Sequence, residues 1–416
     1  MKPRQALEGV KVVEFAWAAV GPLTGKYFSD HGATVIRVES HTSIDPLRNT
    51  APFKDGVPGI DRSYWYPPYS TNKYSVSLNI NTAKGREIAL RLIQWADIVT
   101  EAYTPKAMRK WGLDYASVRK VKPEIIYLST CQQGQYGPHA LARGYGNLAS
   151  SVAGFFNLIG WPDRPPGLAF SPYSDYVNPR FGAAVLVAAL DYRRRTGKGQ
   201  YVDQSQFETT VHFLAPVIMN YAVNGQVIAR DGNRNPAAAP HGAFPCAGER
   251  WIAIAVTGEE EWRAFCRAID RAELAADPRF ATLAARKEHE DELERMVGEW
   301  TAQRPAAEVE RLLQAAGVPA GTVNDTSDVC ADPQLTEREH FRWLPHPVLG
   351  TVPCQSPAFR LSKTPAELRT AGPCLGEHNE YVYREILGLS DDEIADMLIE
   401  GVITTEDDLP EMSAHA

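Results

Sequence analysis

Short apolar, β-branched runs, each followed by a turn and a stretch of helical spacing, recur along the first half of this 416-residue chain and constrain its fold more than any other feature. Val10-Lys11-Val12-Val13-Glu14-Phe15 reads as a buried strand. A small-residue turn follows at Ala16 to Gly21, and Pro22 opens a helical stretch that closes at Gly32. Thr34-Val35-Ile36-Arg37-Val38-Glu39 is the next strand, completing one strand–helix–strand unit of a parallel sheet. The pattern returns with a strand at Tyr74-Ser75-Val76-Ser77-Leu78, an amphipathic helix over 83–95, a strand at Asp97-Ile98-Val99-Thr100, a short helix at 108–111 and a strand at Ile125-Ile126-Tyr127-Leu128-Ser129. The expected fold class is α/β, a doubly wound parallel sheet.

Farther on, Asn178-Pro179 reads as a helix cap plus first-turn proline, and the helix over 181–195 stops at Thr196-Gly197-Lys198-Gly199. Tyr201-Val202-Asp203 is a strand, and Asn224-Gly225 marks a boundary. Beyond it, the strand Trp251-Ile252-Ala253-Ile254-Ala255-Val256 and charged helices over 259–269 and 291–302 predict a smaller α+β unit. The expected organisation is a large Rossmann-like domain at 1–224, a small domain at 225–344, and a segment at 345–416 that returns to the large domain.

Composition narrows the function. A content of 44% hydrophobic and 23% charged residues is that of a globular chain, and a net charge of −8 argues against a nucleic-acid partner. No run approaches the roughly 18–20 apolar residues of a membrane span, and Met1-Lys2-Pro3-Arg4 is not followed by an apolar signal region, so no membrane partner and a cytoplasmic location are expected. Six dispersed cysteines read as reduced thiols, and the ten histidines show no ligand spacing, so no metal is expected. The first turn, Ala16-Trp17-Ala18-Ala19-Val20-Gly21, lacks the dinucleotide fingerprint. Walker A, His-Glu-x-x-His and Gly-x-Ser-x-Gly motifs are absent too.

What remains is Ser171-Pro172-Tyr173-Ser174-Asp175-Tyr176, an apolar and aromatic loop with one acid ahead of a helix start. Asp175 reads two ways from the residues alone: a solvated or capping loop acid, or a functional carboxylate left without capping duty because Asn178 holds the cap.

Several segments together resemble the family III CoA transferases, the group that includes formyl-CoA and carnitine CoA transferases. They run from Leu7-Glu8-Gly9-Val10-Lys11-Val12-Val13-Glu14 through Gly32-Ala33-Thr34-Val35-Ile36-Arg37-Val38-Glu39, Asn72-Lys73-Tyr74-Ser75-Val76-Ser77-Leu78 and Ala96-Asp97-Ile98-Val99. Gly134-Gln135-Tyr136-Gly137-Pro138, Arg195-Thr196-Gly197-Lys198-Gly199-Gln200 and Gly376-Glu377-His378-Asn379 complete the series. The resemblance implies that Asp175 is the catalytic nucleophile. It implies a CoA groove formed by Asn72, Lys73, Ala102, Tyr103, Lys110 and Arg143, with coenzyme A or acyl-CoA as substrate and no tightly bound cofactor. It further implies an interlocked dimer. Ser129 to Gln135 and Gly144-Tyr145-Gly146-Asn147-Leu148 are similar to the hetero-oligomeric benzylsuccinate branch, which implies a homodimer or a homologous partner subunit.

Departures from the family pattern narrow the substrate. Ala19-Val20 stands where formyl-CoA transferases carry a glutamine, Ala102-Tyr103 replaces Asn-Phe, and the glycine-rich lid is not evident around Ala237 to Gly242, which sets formate and oxalate aside. The expected reaction moves CoA from succinyl-CoA to a bulky or aryl-substituted dicarboxylate, the latter from aromatic residues at Trp17, Trp65, Tyr103, Tyr145, Phe155, Phe156, Tyr173 and Tyr176. Two alternatives stand beside it. One is a CoA-ester racemase, whose Gly-His-Asp segment is here Gly144-Tyr145-Gly146; the other is a structural subunit of a hetero-oligomeric transferase.

Overall fold

The structure, a computed structural model, describes residues 5–167, 172–405 and 409. The chain divides into two compact units. One comprises Met1–Phe155, Leu168–Val227 and Thr336–Ala416, the other Phe156–Gly167 and Ile228–Leu335.

In the first unit six strands, β1 (Lys11–Phe15), β2 (Thr34–Glu39), β3 (Tyr74–Ser77), β4 (Ile98–Glu101), β5 (Ile126–Cys131) and β6 (Tyr201–Ser205), form one sheet in the order β3-β2-β1-β4-β5-β6. Every pairing is parallel. The helices between and after them are α1 (Val20–Ser29), α2 (Ala83–Trp95), α3 (Lys106–Trp111), α4 (Tyr115–Val118), α5 (Gly146–Val152), α7 (Tyr173–Thr196), α8 (Gln206–Val211) and α9 (Ala215–Asn224), while α6 (Phe155–Leu158) belongs to the second unit from Phe156 on. This is the doubly wound α/β sheet expected from the sequence. The strand order reverses between β1 and β4, where such sheets open a crevice at the strands' carboxyl ends.

Both faces of the sheet are buried, which is why the strands read as nearly continuous apolar runs. Val12, Val35, Ile98, Ile126 and Leu128 point to one face and pack with Phe28 of α1 and Leu186 and Ala189 of α7. Their neighbours Val13, Ile36, Val38, Val99 and Tyr127 point to the other. There they meet α2, whose Ile88, Ala89, Leu92 and Ile93 form one apolar stripe. Thr82 caps α2 by accepting the Gly85 N–H at 2.9 Å. Each such fully buried aliphatic side chain contributes about 1.5–3 kcal/mol.

The Gly376-Glu377-His378-Asn379 segment has a structural duty. β3 is an edge strand, and Asn379 Oδ1 accepts the Ser77 N–H at 2.9 Å while the His378 N–H donates to Ser75 O at 3.0 Å. The segment thereby satisfies backbone groups that an edge strand would leave open to association. Val382, Tyr383 and Met397 follow it into the core. In the second unit, β7 (His241–Cys246), β8 (Arg250–Ala255) and β9 (Ala320–Thr322) form an antiparallel sheet around Trp262, Phe265, Phe280 and Val309, an α+β arrangement. Among the described residues no helix is long and apolar enough to cross a membrane.

A buried ion network ties the carboxyl ends of β1 and β2 to the chain between β2 and β3. Glu14 accepts from Lys73 Nζ at 3.0 Å through both oxygens and from Arg37 at 3.1 Å. Arg37 also pairs with Asp45, and Arg48 pairs with Glu39 at 2.8 Å and with Asp61. Burial pushes the Lys73 pKa down to about 8 against the pull of Glu14. Burial also works to raise the Glu39 pKa, but Arg48 and Arg37 hold it at about 2.

These contacts give Lys73 and Asn72, expected in the CoA groove, partners within the protein. The Lys73 ammonium spends its remaining proton on Pro22 O at 2.7 Å, and its side chain is fully buried. The Asn72 amide is committed to Asp30 Oδ1, Glu367 O and the N–H groups of Arg369 and Thr370. Breaking a buried ion pair from one side leaves an uncompensated charge. Lys73→Met is therefore expected to lower the unfolding free energy by about 3 kcal/mol, near the low end because Arg37 still faces Glu14. Denaturant unfolding checks the loss, and calorimetric titration with CoA checks that affinity in the folded variant stays within about threefold, under 1 kcal/mol.

Candidate active site

Asp175 lies in the first turn of α7, with its N–H donating to Pro172 O at 2.8 Å. This corrects two expectations: the acid is helical, not in a loop, and Asn178 is not a cap. The misleading signal is Pro179, which falls inside α7. Tertiary bonds hold that turn helical. Asn178 Nδ2 donates to Thr130 Oγ1 on β5 at 2.7 Å, Asn178 Oδ1 accepts from Thr209 Oγ1 on α8 at 2.8 Å, and Asn178 O accepts from Gln204 at 2.8 Å.

The Asp175 residue is only 6% exposed. The Gly146 N–H and the Gln206 side chain donate to its carboxylate, and Ser174 Oγ donates to Gly146 O at 2.9 Å, so the 144–146 segment is fastened to the start of α7. A Cβ at position 146 would stand 2.5 Å from Asp175 Cγ and Oδ1, and only glycine permits that approach. Burial outweighs the two hydrogen bonds and pushes the Asp175 carboxyl up to about 7. Its place in the first turn, where the helix dipole favours an anion by about 0.3–1 kcal/mol, offsets part of that burial.

The carboxyl group faces a cavity of about 450 Å³ at the sheet's switch point. Its walls are the turn after β1 (residues 17–20), the chain after β4 (residues 102–104), the end of β5 (Thr130, Cys131 and Gln132), Arg143 to Tyr145, and Gln206 at the start of α8. Asp175 is the one acid and Arg143 the one Lys or Arg among the lining residues described. A cleft of about 260 Å³ adjoins it between the ends of β1 and β2, sharing Trp17 and Tyr103 with the cavity and adding Trp111. The Tyr103 ring lies 5.7 Å from Trp17 and 5.6 Å from Trp111. A first turn without the dinucleotide fingerprint is compatible with this layout because Ala18 takes a φ of +55° and its N–H donates to the Asp45 carboxylate at 3.1 Å.

A model of CoA-transferase family III matches residues 7–379. The chain belongs to that family. It is 31% identical over 402 residues to succinyl-CoA–D-citramalate CoA-transferase of Chloroflexus aurantiacus, covering 97% of this chain and 99% of the relative. It is 30% identical to the beta subunit of succinyl-CoA–L-malate CoA-transferase from the same organism, covering 95% and 98%. A solved CAIB/BAIF family protein from Brucella suis superposes with a TM-score of 0.84 at 31% identity, covering 92% of this chain and all of the other. The protein is an enzyme, a CoA-transferase.

In this family III transferase, Asp175, Ala102, Tyr103 and Arg143 come together around one cavity. Lys110 is exposed on α3, outside the lining of either cleft, beside Trp111. Of the aromatic residues expected near the site, Trp17, Tyr103 and Tyr145 line it, while Trp65, Phe155, Phe156, Tyr173 and Tyr176 are not among its walls. Gln132, Gly146 and Gln206 were not foreseen as site residues. Gly146 carried a visible signal in Gly144-Tyr145-Gly146, but that segment shows only a missing histidine until the helix start is seen against it.

The raised Asp175 pKa makes a stability prediction. A carboxyl at about 3.8 unfolded and about 7 folded is protonated in both states below pH 4, so it carries no penalty there; the penalty grows between pH 4 and 7 and is complete above 7. Asp175→Asn removes it. The variant is expected to match the parent in unfolding free energy near pH 4 and to exceed it increasingly toward pH 8, by up to about 4 kcal/mol at the plateau. Scanning calorimetry across that range is the check.

Proposed function

We propose that the enzyme moves CoA from succinyl-CoA to a second dicarboxylic acid through a covalent intermediate on Asp175. The observation that carries this reading is a single buried carboxyl, poised near neutral pH by burial, in a cavity at the carboxyl ends of β1, β4 and β5. A carboxylate with a raised pKa is a stronger nucleophile while remaining largely ionised above pH 7. It attacks the thioester carbonyl; the C–S bond breaks, leaving a mixed anhydride and CoA thiolate. The thiolate then attacks the aspartyl carbonyl, releasing succinate and forming a β-aspartyl thioester. The incoming acid repeats both steps in reverse. Each step exchanges one acyl bond for another.

The pantetheine arm fits the cavity, and the aromatic cleft of Trp17, Tyr103 and Trp111 suits the adenine ring. Arg143 and, on α3, Lys110 supply positive charge for phosphates. Two relatives named for succinyl-CoA with D-citramalate and L-malate support a dicarboxylate acceptor, and the lining rings of Trp17, Tyr103 and Tyr145 suit an aryl-substituted one as well. A racemase would place a second proton-transfer group opposite Asp175, and the described lining presents no histidine there. Assembly as a homodimer or with a homologous subunit belongs to the same reading, since one relative is itself a beta subunit.

Incubation with succinyl-CoA, trapping with hydroxylamine and peptide mass spectrometry are expected to place a hydroxamate on Asp175. Asp175→Asn should lose at least about 10³-fold in kcat, in line with removal of a covalent nucleophile. The acid limb of kcat/KM should fall with a midpoint near pH 7. A fully active Asp175→Asn enzyme would refute the covalent role.

A further inference from the structure

Gln132 directly follows β5, and its backbone is firmly held: its C=O accepts the Phe207 N–H at 2.9 Å and Ser205 Oγ at 3.4 Å. Its side chain is not held. The residue is 7% exposed, lines the Asp175 cavity, and neither Nε2 nor Oε1 has a hydrogen-bond partner among the described residues. Buried carboxamides are nearly always satisfied, so an amide enclosed beside a reaction cavity, with both polar atoms unpartnered among the described residues, calls for an explanation. The backbone makes room for it. A Cβ at position 144 would stand 2.8 Å from both Gln132 Nε2 and Oε1, so Gly144 lets the amide lie flat against the chain.

The same short segment meets both groups. Gly144 abuts the Gln132 amide and Gly146 abuts the Asp175 carboxyl, and between them Tyr145 is extended, with φ −111° and ψ 178°. Two extended residues span about 7 Å. A nucleophile about 3 Å from a carbonyl carbon, whose oxygen accepts a hydrogen bond of about 2.9 Å, needs its donor at that order of separation from the attacking oxygen.

We propose that Gln132 is a catalytic residue of the transfer reaction: its Nε2 donates to the thioester oxygen and stabilises the oxyanion formed as Asp175 attacks. Its Oε1 then faces the cysteamine N–H of the coenzyme arm, which is separated from the thioester carbon by the sulfur and two methylenes. Both open atoms are matched by one ligand. Because neither atom is committed in the free enzyme, the amide can present either edge. The assignment rests on the covalent reading of Asp175.

The test compares the parent with Gln132→Met, which keeps the length without hydrogen bonds, and with Gln132→Glu, which keeps an acceptor and loses the donor. Removal of one oxyanion donor reduces kcat by roughly 10²–10³-fold. Both variants are expected to show that loss, read as the rate of hydroxamate formation at Asp175 in single-turnover trapping with succinyl-CoA. KM for the free acid should change less than about threefold, and the Gln132→Met melting temperature should not fall, since no side-chain hydrogen bond to the described residues is lost. If Gln132→Met unfolds, Gln132→Glu carries the kinetic comparison. An Asp175 adduct that forms at the parent rate in a folded variant overturns the role of Gln132 alone. A rise confined to the free-acid KM would make Gln132 an acid-binding residue and also overturns it. No adduct at Asp175 in the parent overturns the covalent reading and this assignment together.

Discussion

Glu14 sits between two cations, Lys73 and Arg37, with no exposed surface on any of the three side chains, and the active-site end of the sheet depends on that arrangement. Charges taken out of water are stable only when each has a partner, so the strand carrying Glu14 cannot shift register against β2 without stranding one of them. The network reaches farther through Arg37 to Asp45, whose carboxylate receives the Ala18 N–H in the turn that opens the cavity. A non-glycine residue with φ near +55° is uncommon outside Asn and Asp, and here the backbone hydrogen bond to a buried acid holds it. The first turn of the sheet is thus shaped by ion pairing where dinucleotide-binding relatives of the fold use glycines.

The same low-dielectric surroundings act differently on Asp175. Glu39, with arginines against it, is held near the bottom of the carboxylate range, whereas Asp175 has a backbone N–H and a glutamine amide among the described residues and rises to about 7. The difference between these two acids lies in what faces them, not in depth, since both residues are more than nine-tenths buried. A cation beside Asp175 would stabilise the carboxylate and blunt it as a nucleophile. The described cavity holds Arg143 at an exposed position in its lining.

Much of the sheet was legible because its strands are buried on both faces, so their apolar runs stand out without an alternating pattern to decode. The less legible residues share another cause: their partners lie far away in sequence. Lys73 gives no local sign of its ion partner, since Glu14 lies 59 positions earlier. Asn178-Pro179 has the composition of a helix start, and only its bonds to Thr130 and Thr209 reveal the middle of a helix. Gly376-Glu377-His378-Asn379 is conspicuous as a motif, yet its role as a cover for β3 depends on strand order, which local patterning cannot express.

Local preference and tertiary structure conflict most sharply where the cavity is built, which is the expected signature of a functional site. Pro179 sits inside α7 one turn after Asp175, Gly144 and Gly146 remove side chains where packing would otherwise be gained, and the Gln132 amide is buried without hydrogen-bond partners among the described residues. Each feature is unfavourable alone. Together they bring a backbone N–H, an uncommitted amide and a desolvated carboxyl to one face of three residues, an arrangement that side chains larger than glycine at 144 and 146 would displace. The stability given up locally is supplied by the double-faced sheet and by the ion network beneath it, both of which hold the strand ends still while acyl groups change hands.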